Sequence, residues 1–257
     1  MRIGTVVIVL IITVHLLRAQ PAGQSIPGRI VQAKIVLQKA VNTASQELFT
    51  QAEERLAPAQ QNAQFASLAD YYLAYSAYRR ATLLLQVDKE KADVYLDTAV
   101  ARLGRIIERD DAFVEAYPLL SGCYGLKMSI TPIKAILLGP KSGTIISRAK
   151  KLAPSNPRVA LQAAIATYNT PAMFGGGKEK GLAEMRSAAE LFDRWVPSDS
   201  LQPDWGKDEV WAWIGIASMD QKELIQAKRA FDRALEINPE NGWVKYVLLP
   251  RLEAAAK

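Results

Sequence analysis

Histidine and cysteine are nearly absent: the 257-residue chain has one of each. His15 lies inside an apolar N-terminal run, and Cys123 sits in the apolar stretch SGCYG. A single cysteine forms no internal disulfide, so burial has to hold the fold together. Without a histidine beyond that run, no Ser-His-Asp or Cys-His set can be assembled, and zinc sites of the usual Cys/His type are excluded. Strand-like alternation of Val, Ile and Thr is scarce after the N-terminus. Cationic runs are missing too. No five basic residues stand together, and the net charge of +6 is mild, so nucleic acid is not an expected partner.

What is present begins with MRIGTVVIVLIITVHLLRAQ. Arg2 precedes a mostly apolar run from Ile3 to Leu17, shorter than the roughly 20 apolar residues a spanning helix needs. It reads as a secretory signal peptide covering residues 1–19, cut after Leu17-Arg18-Ala19. Cleavage would remove His15, Arg2 and Arg18 and leave a mature chain without histidine. The alternative is an uncut leader that anchors the protein in the envelope membrane. The expected location is therefore periplasmic or secreted, with membrane contact only if the leader stays. Residues 20–28, holding PAGQSIPG, read as a flexible spacer. Residues 29–257 read as one helical domain.

In that domain Ile30, Ala33, Leu37 and Ala40 recur at helical steps, and one helix is predicted from Arg29 to about Leu56. A second runs from about Phe65 to Gln86, with Tyr71, Tyr75 and Tyr78 on one stripe and Tyr72 beside it. Asp88 is placed to cap the next helix, which ends near Arg109. The far end is more specific. In WAWIGIASMDQKELIQAKRAFDRALEINP, Trp211, Ile214 and Gly215 are followed by Ala227, Phe231, Ala234 and Pro239. This spacing resembles the tetratricopeptide repeat, a 34-residue helix–turn–helix unit, with Ser218 where an aromatic residue is usual. Weaker copies follow the same template: Gly181, Met185 and Ala188 in one, Ala149 and Pro154 in another. The combination TPAMFGGGKEKG, DWGKDEVWAWIG and NPENGWVKYVLLP also resembles exported bacterial tetratricopeptide-repeat proteins of unassigned function. That resemblance covers roughly the C-terminal half and brings no catalytic residue with it. The fold expected is all-α: an α-solenoid of about four helix pairs with a closing helix, kinked by Pro250.

Two segments interrupt the repeat spacing. KMSITPIKAILLGPKSG and DRWVPSDSLQPDWGKD both read as long inter-helix loops. The glycine run in NTPAMFGGGKEKG lacks the phosphate-loop spacing, since Lys178 is followed by Glu179 and no strand precedes it. It reads as a tight corner in which Phe174 plugs the end of the helix pair and Gly175 to Gly177 reverse the chain. Glu108, Asp110 and Asp111 read as a solvated helix end, and Cys123 as a small packing residue. Trp195 and Trp205 flank the second long segment, and two uses are open for them: pinning that segment to the helices, or forming an aromatic binding patch.

First helices of stacked pairs line the inner face. Residues expected there are Arg158, Leu161, Ile165 and Tyr168 on one helix, and Glu209, Ala212, Ile216 and Met219 on the next. Both stripes are largely apolar, which suits a groove for a protein or peptide partner. The expected function is thus a non-enzymatic scaffold without a cofactor, binding its partner on the concave face. The alternative is a small-ligand or solute-binding accessory subunit of a transport system, recognisable by a closed, aromatic-lined cavity.

Overall fold

The structure, a computed structural model, describes residues 25–256. The leader and the first part of the spacer lie outside the described residues. Among those described there are eleven α-helices and no strand. They are α1 (Ile26–Thr43), α2 (Gln46–Gln60), α3 (Ala66–Leu84), α4 (Lys89–Arg109), α5 (Ala116–Ile130), α6 (Ala135–Leu152), α7 (Pro157–Asn169), α8 (Lys178–Arg194), α9 (Lys207–Asp220), α10 (Leu224–Ile237) and α11 (Leu249–Ala255). Each odd-numbered helix up to α9 packs chiefly against the helix that follows it. The result is an α-solenoid of five antiparallel pairs closed by α11.

The fifth pair arises where one long helix was expected. Ile30, Ala33, Leu37 and Ala40 do form the buried stripe of α1, but the helix stops at Ala44, whose φ of 53° is left-handed. The Ser45 side chain then accepts a hydrogen bond from the Leu48 amide and starts α2. At the other end α1 begins earlier than Arg29: Ser25 caps it through the Gly28 amide, and Pro27 occupies the first turn, where its missing N–H costs nothing. The segment KMSITPIKAILLGPKSG is mostly helix rather than loop. It contains the end of α5, a 3-10 turn at Pro132–Lys134 and the first half of α6, with Pro140 inside the helix. The second interruption, by contrast, is a non-helical strap from Trp195 to Gly206.

The repeat unit of α9 and α10 owes its close approach to Gly215. A Cβ there would lie 2.2 Å from the Phe231 ring, so no larger residue fits without moving that fully buried aromatic. Ahead of Pro250 a π-helical turn spans Val244–Leu248. Proline has no N–H and crowds the carbonyl four residues back, and a widened turn accommodates both. Asp88 caps α4 as predicted, accepting from the Lys91 amide at 2.9 Å.

Candidate functional site: the inner face of the stack

First helices of neighbouring pairs stand about 10 Å apart, so α3 and α9, three pairs apart, would be roughly 30 Å apart in a straight stack. Here Arg79 of α3 forms an ion pair with Glu209 of α9. The first and last pairs also meet. The side-chain amides of Asn42 and Asn238 bond reciprocally, at 3.3 and 3.0 Å, and Asn238 donates onward to Asp208 at 2.7 Å. The stack is therefore curled until its two ends touch, and its first helices face one another across a narrow interior.

The strap fills much of that interior. Trp205 is 4% exposed; its ring stacks on Tyr75 at 5.5 Å and its Nε1 donates to the Tyr71 hydroxyl at 2.8 Å. The Tyr72 hydroxyl donates to the Leu201 carbonyl, and Lys34 of α1 donates to the carbonyls of Ser200 and Gln202 while pairing with Asp204. Trp195 lies over the Arg158 guanidinium, 4.2 Å from ring centre to cation. Of the two uses open to these tryptophans, the strap adopts the pinning one. Burial pushes the hydroxyls of Tyr71, Tyr72 and Tyr75 upward, so they stay neutral hydrogen-bonding groups.

The expected partner residues divide accordingly. Arg158 and Glu209 do turn inward, but both are engaged within the fold. Arg158 is 1% exposed and bound by two bonds to Glu115, at 2.6 and 2.7 Å, while Glu209 holds Arg79. Leu161 and Ala212 are wholly buried, Leu161 in the packing around α8 and Ala212 in the packing around α10 and α11. Neither presents a surface. Ile165, Ile216 and Met219 are half-buried, and Tyr168 keeps a thin exposed edge.

What the stripe missed stands one residue further round the helix. Beside Ala212 and Met219 lie Trp213 and Asp220, about 100° away on the helical wheel. Trp213 packs edge-on between Tyr168 and Trp243, with centroids 6.5 and 6.2 Å away. Tyr168, Trp213 and Trp243 come from three successive inward-facing segments and form one aromatic row, which the strap contacts do not reach. Trp243 is 38% exposed. At one end of the row the Tyr168 hydroxyl donates to Asp220 at 2.5 Å, and Lys178 pairs with the same carboxylate at 2.8 Å. Burial would raise the Asp220 carboxyl, but the bonds from Lys178 and Tyr168 outweigh it and hold it below the usual carboxylate range. Burial and that same carboxylate push the Tyr168 hydroxyl up. The sequence signal for Trp213 was its place two residues after the core residue Trp211, which turns it toward another side.

Other candidate chemistry is accounted for structurally. Among the described residues no three His, Cys, Asp or Glu side chains are grouped to hold a metal ion. Asp111 pairs with Arg148, and Asp110 accepts from the Ala112 amide. Cys123 is buried, and burial pushes its thiol far up, leaving it unreactive. The glycine corner is as tight as expected, with Gly175 and Gly177 at φ of 85° and 132°. Phe174, however, does not plug the pair: it is 72% exposed. An open cleft of about 210 Å³ lies between α6, α7 and this corner, with Phe174 its one aromatic wall. A second hollow, of about 10 Å³, lies beside Trp205. Neither is a closed, aromatic-lined cavity.

Residues 208–241 match the family described as Tetratricopeptide repeat, which is the α9–α10 unit and the turn after it. Two solved structures share the fold. The HusA haemophore from Porphyromonas gingivalis superposes with a TM-score of 0.66 at 19% identity, covering 78% of this chain and 96% of that one. A thermophilic TPR protein from Thermus thermophilus superposes with a TM-score of 0.55 at 15% identity, covering 87% of this chain and 98% of that one. No curated protein matches by sequence.

Proposed function

We propose that this tetratricopeptide-repeat protein is an exported, non-enzymatic scaffold that binds a protein or peptide partner along the part of its inner face left open by the strap. The observation that carries this reading is the aromatic row Tyr168–Trp213–Trp243. Repeat solenoids present their inward helices as extended binding surfaces. Here the N-terminal share of that surface is consumed by the molecule's own strap, so a partner is left the C-terminal share. Partly exposed tryptophans flanked by aliphatic side chains are what binding hot spots are made of. The Lys178–Asp220 pair at the end of the row offers a polar stop for an incoming backbone. Of the residues first expected at the site, Ile165, Tyr168, Ile216 and Met219 remain in the proposal. Arg158, Leu161, Glu209 and Ala212 serve the fold instead. Export rests on the leader alone.

The alternative, a small-ligand accessory protein, draws some support from the haemophore likeness, but at 19% identity that likeness speaks for the fold. The hollows described above give such a ligand little enclosure.

The test is retention of partners from a native envelope extract on the purified chain, with each partner identified and its affinity then measured. Trp243→Ser together with Ile216→Ser should weaken binding by at least about thirtyfold, as for loss of a hot spot worth ~2 kcal/mol. The helical circular dichroism should not change. Undiminished affinity in that variant refutes the reading.

A further inference from the structure

Residues 61–65, 110–115 and 153–156 join the earlier pairs through links of five, six and four residues, whereas the strap, residues 195–206, has twelve. Its residues 196–200 are exposed, and the inner face takes hold of it at the last of these. The first hold is on main chain. Lys34 donates to the carbonyls of Ser200 and Gln202, at 2.7 and 2.5 Å, and the Tyr72 hydroxyl donates to the Leu201 carbonyl between them. Three successive carbonyls are thus held by two side chains, one from α1 and one from α3, whatever side chains the segment carries. The second hold is a single anchor, Trp205, stacked on Tyr75 and bonded to Tyr71. The guanidinium groups of Arg79 and Arg158 lie 5.8 and 6.0 Å from the centre of its ring, and an indole is the ring that attracts such cations best. Main-chain bonds for affinity and a pocket for a chosen side chain are how extended peptides are recognised.

The apolar packing draws the same line between groove and occupant. One core cluster joins α1 to α5, and each of its buried members lies at or before Cys123 except Trp205. From beyond α7 that cluster receives only Trp205 and the partly buried Leu201. The groove is therefore built by the first helices and filled by an indole from far along the chain. Its charge is set up for an occupant as well. Among the described residues every polar partner of Lys34 is a strap atom, the Asp204 carboxylate included. The Lys34 side chain is 8% exposed under the strap. Taking the strap away leaves that ammonium with no partner in the fold, which is costly for a cation in a partly buried place. An occupant that suits the groove brings free carbonyls, a carboxylate for Lys34 and an indole for the pocket.

We propose that the strap is a built-in occupant of a peptide groove, and that it gives way there to an extended segment of a partner protein in which an acidic residue is followed by tryptophan. The incoming segment presents its carbonyls to Lys34 and Tyr72, pairs its carboxylate with Lys34 and sets its indole on Tyr75. This groove is a site separate from the aromatic row, and its failure leaves the reading of the row untouched.

A free, fluorescently labelled peptide of residues 198–206 serves as the probe, with the full chain as receptor. In the native chain the tethered strap competes with it at an effective concentration on the order of mM. Trp205→Leu removes the anchor of that competitor while keeping an apolar side chain in its place. By fluorescence anisotropy the peptide should bind the variant at least about thirtyfold more tightly than the native chain, as for a competitor that has lost a hot spot. The same peptide made with Trp205→Ala should lose at least about as much affinity for the variant. Lys34→Met added to the variant, whose strap has already lost its anchor, should weaken binding by about tenfold or more, the loss of hydrogen bonds to a charged group. If Trp205→Leu is unfolded, the peptide should restore its helical circular dichroism. No binding at mM peptide, no restored fold, equal binding to native and variant chains, or indifference to Lys34→Met would overturn the proposal. Loss of binding with Trp243→Ser would do so too, by placing the peptide on the aromatic row. So would native chains that pair at high concentration by exchanging straps, which would make the occupant a second copy.

Discussion

α3 and α9 occupy equivalent places, each the first helix of its pair and each turned toward the interior, yet they are buried very differently. In α3 thirteen consecutive residues, Ala69 to Ala81, are buried, among them Asp70, Ser76, Arg79 and Arg80. In α9 six of fourteen are, and Trp213 and Ile216 remain accessible. A helix buried all round is ordinarily apolar all round. α3 is not, because the helices around it supply polar partners: Asp70 bonds to Gln60, Arg102 and Arg109, Ser76 and Arg80 to Glu53, and Arg79 pairs with Glu209 of α9, while the strap covers the tyrosines on its inner side. On the inner side the difference between the helices comes from one irregular segment, which covers Tyr71, Tyr72 and Tyr75. Where the strap docks the inner face becomes core, and where it does not the same repeat geometry leaves a surface.

The sharpest way to break this contrast is to remove the indole at the centre of it. Trp205→Ala should destabilise the protein by about 4–5 kcal/mol, the upper range for truncating a buried aromatic. The change also strands the Tyr71 hydroxyl and uncovers the Tyr75 ring. Trp243→Ala, on the open part of the face, should cost less than about 1 kcal/mol by the same measurement, since a surface change away from such features moves stability little. Urea unfolding followed by circular dichroism gives both numbers, and similar losses would mean that the row is as much core as the strap.

Next in size is the ion pair beneath Trp195. Glu115→Ala leaves the Arg158 guanidinium, 1% exposed, without its two bonds. An uncompensated buried charge should cost about 3–4 kcal/mol. Replacing both partners, Glu115→Leu with Arg158→Met, should recover most of that in urea. If the double variant is no better than the single one, the pair contributes through exact placement of the strap rather than through charge compensation.

Acid provides a third, smaller contrast. Burial would raise the Asp70 carboxyl, but the bonds from Arg109 and Gln60 and the charge of Arg102 hold it below the ordinary value. A carboxyl lowered in the folded state adds stability that is complete above its unfolded value near 4 and lost as pH falls through the folded one. Thermal stability should therefore be level from pH 7 to about 4 and fall below it. In Asp70→Asn the drop should be smaller by about 1.5–3 kcal/mol, the range for hydrogen bonds to a charged group. An identical acid profile in the variant would show that Asp70 is not among the groups responsible.

Much of this architecture could be read from local pattern. The stripe of α1, the cap at Asp88 and the α9–α10 unit are written in residues three to eight positions apart, where helical geometry forces neighbours to meet. The break at Ala44 was hidden because an alanine in a left-handed conformation carries no sequence mark, though Ser45 with Glu47 in the next turn was a usable helix start. The strap's destination had no local mark at all. Trp205 and Tyr71 are 134 positions apart, and an irregular segment has no periodicity to say which surface it covers. On α9 the expected stripe took in Ala212, which is buried, and passed over Trp213 beside it, which packs between Tyr168 and Trp243. Ala212 and Trp213 differ by one step of the helix, and that step separates the seam toward α10 from the open interior. Arg158 and Glu209 were placed on the correct side. That they were consumed by partners inside the fold depended on the curl of the stack, which brings α3 against α9 and cannot be seen in any single repeat.

The smallest effect concerns two glycines that the repeat treats oppositely. Gly215 sits where the two helices of the last pair touch, and its missing Cβ is occupied by the Phe231 ring. Gly104, in α4, has nothing within 4 Å of where a Cβ would lie, and no left-handed angle holds it there. Its only consequence is conformational freedom in the unfolded chain, which folding must remove. Gly104→Ala should therefore stabilise the protein by about 0.5–1 kcal/mol, seen as a higher urea midpoint with an unchanged slope. A lower midpoint would mean that α4 packs more closely at this position than the open space around it indicates. The second helix of the buried α3–α4 pair would then be under the same spacing constraint as the seam at Gly215.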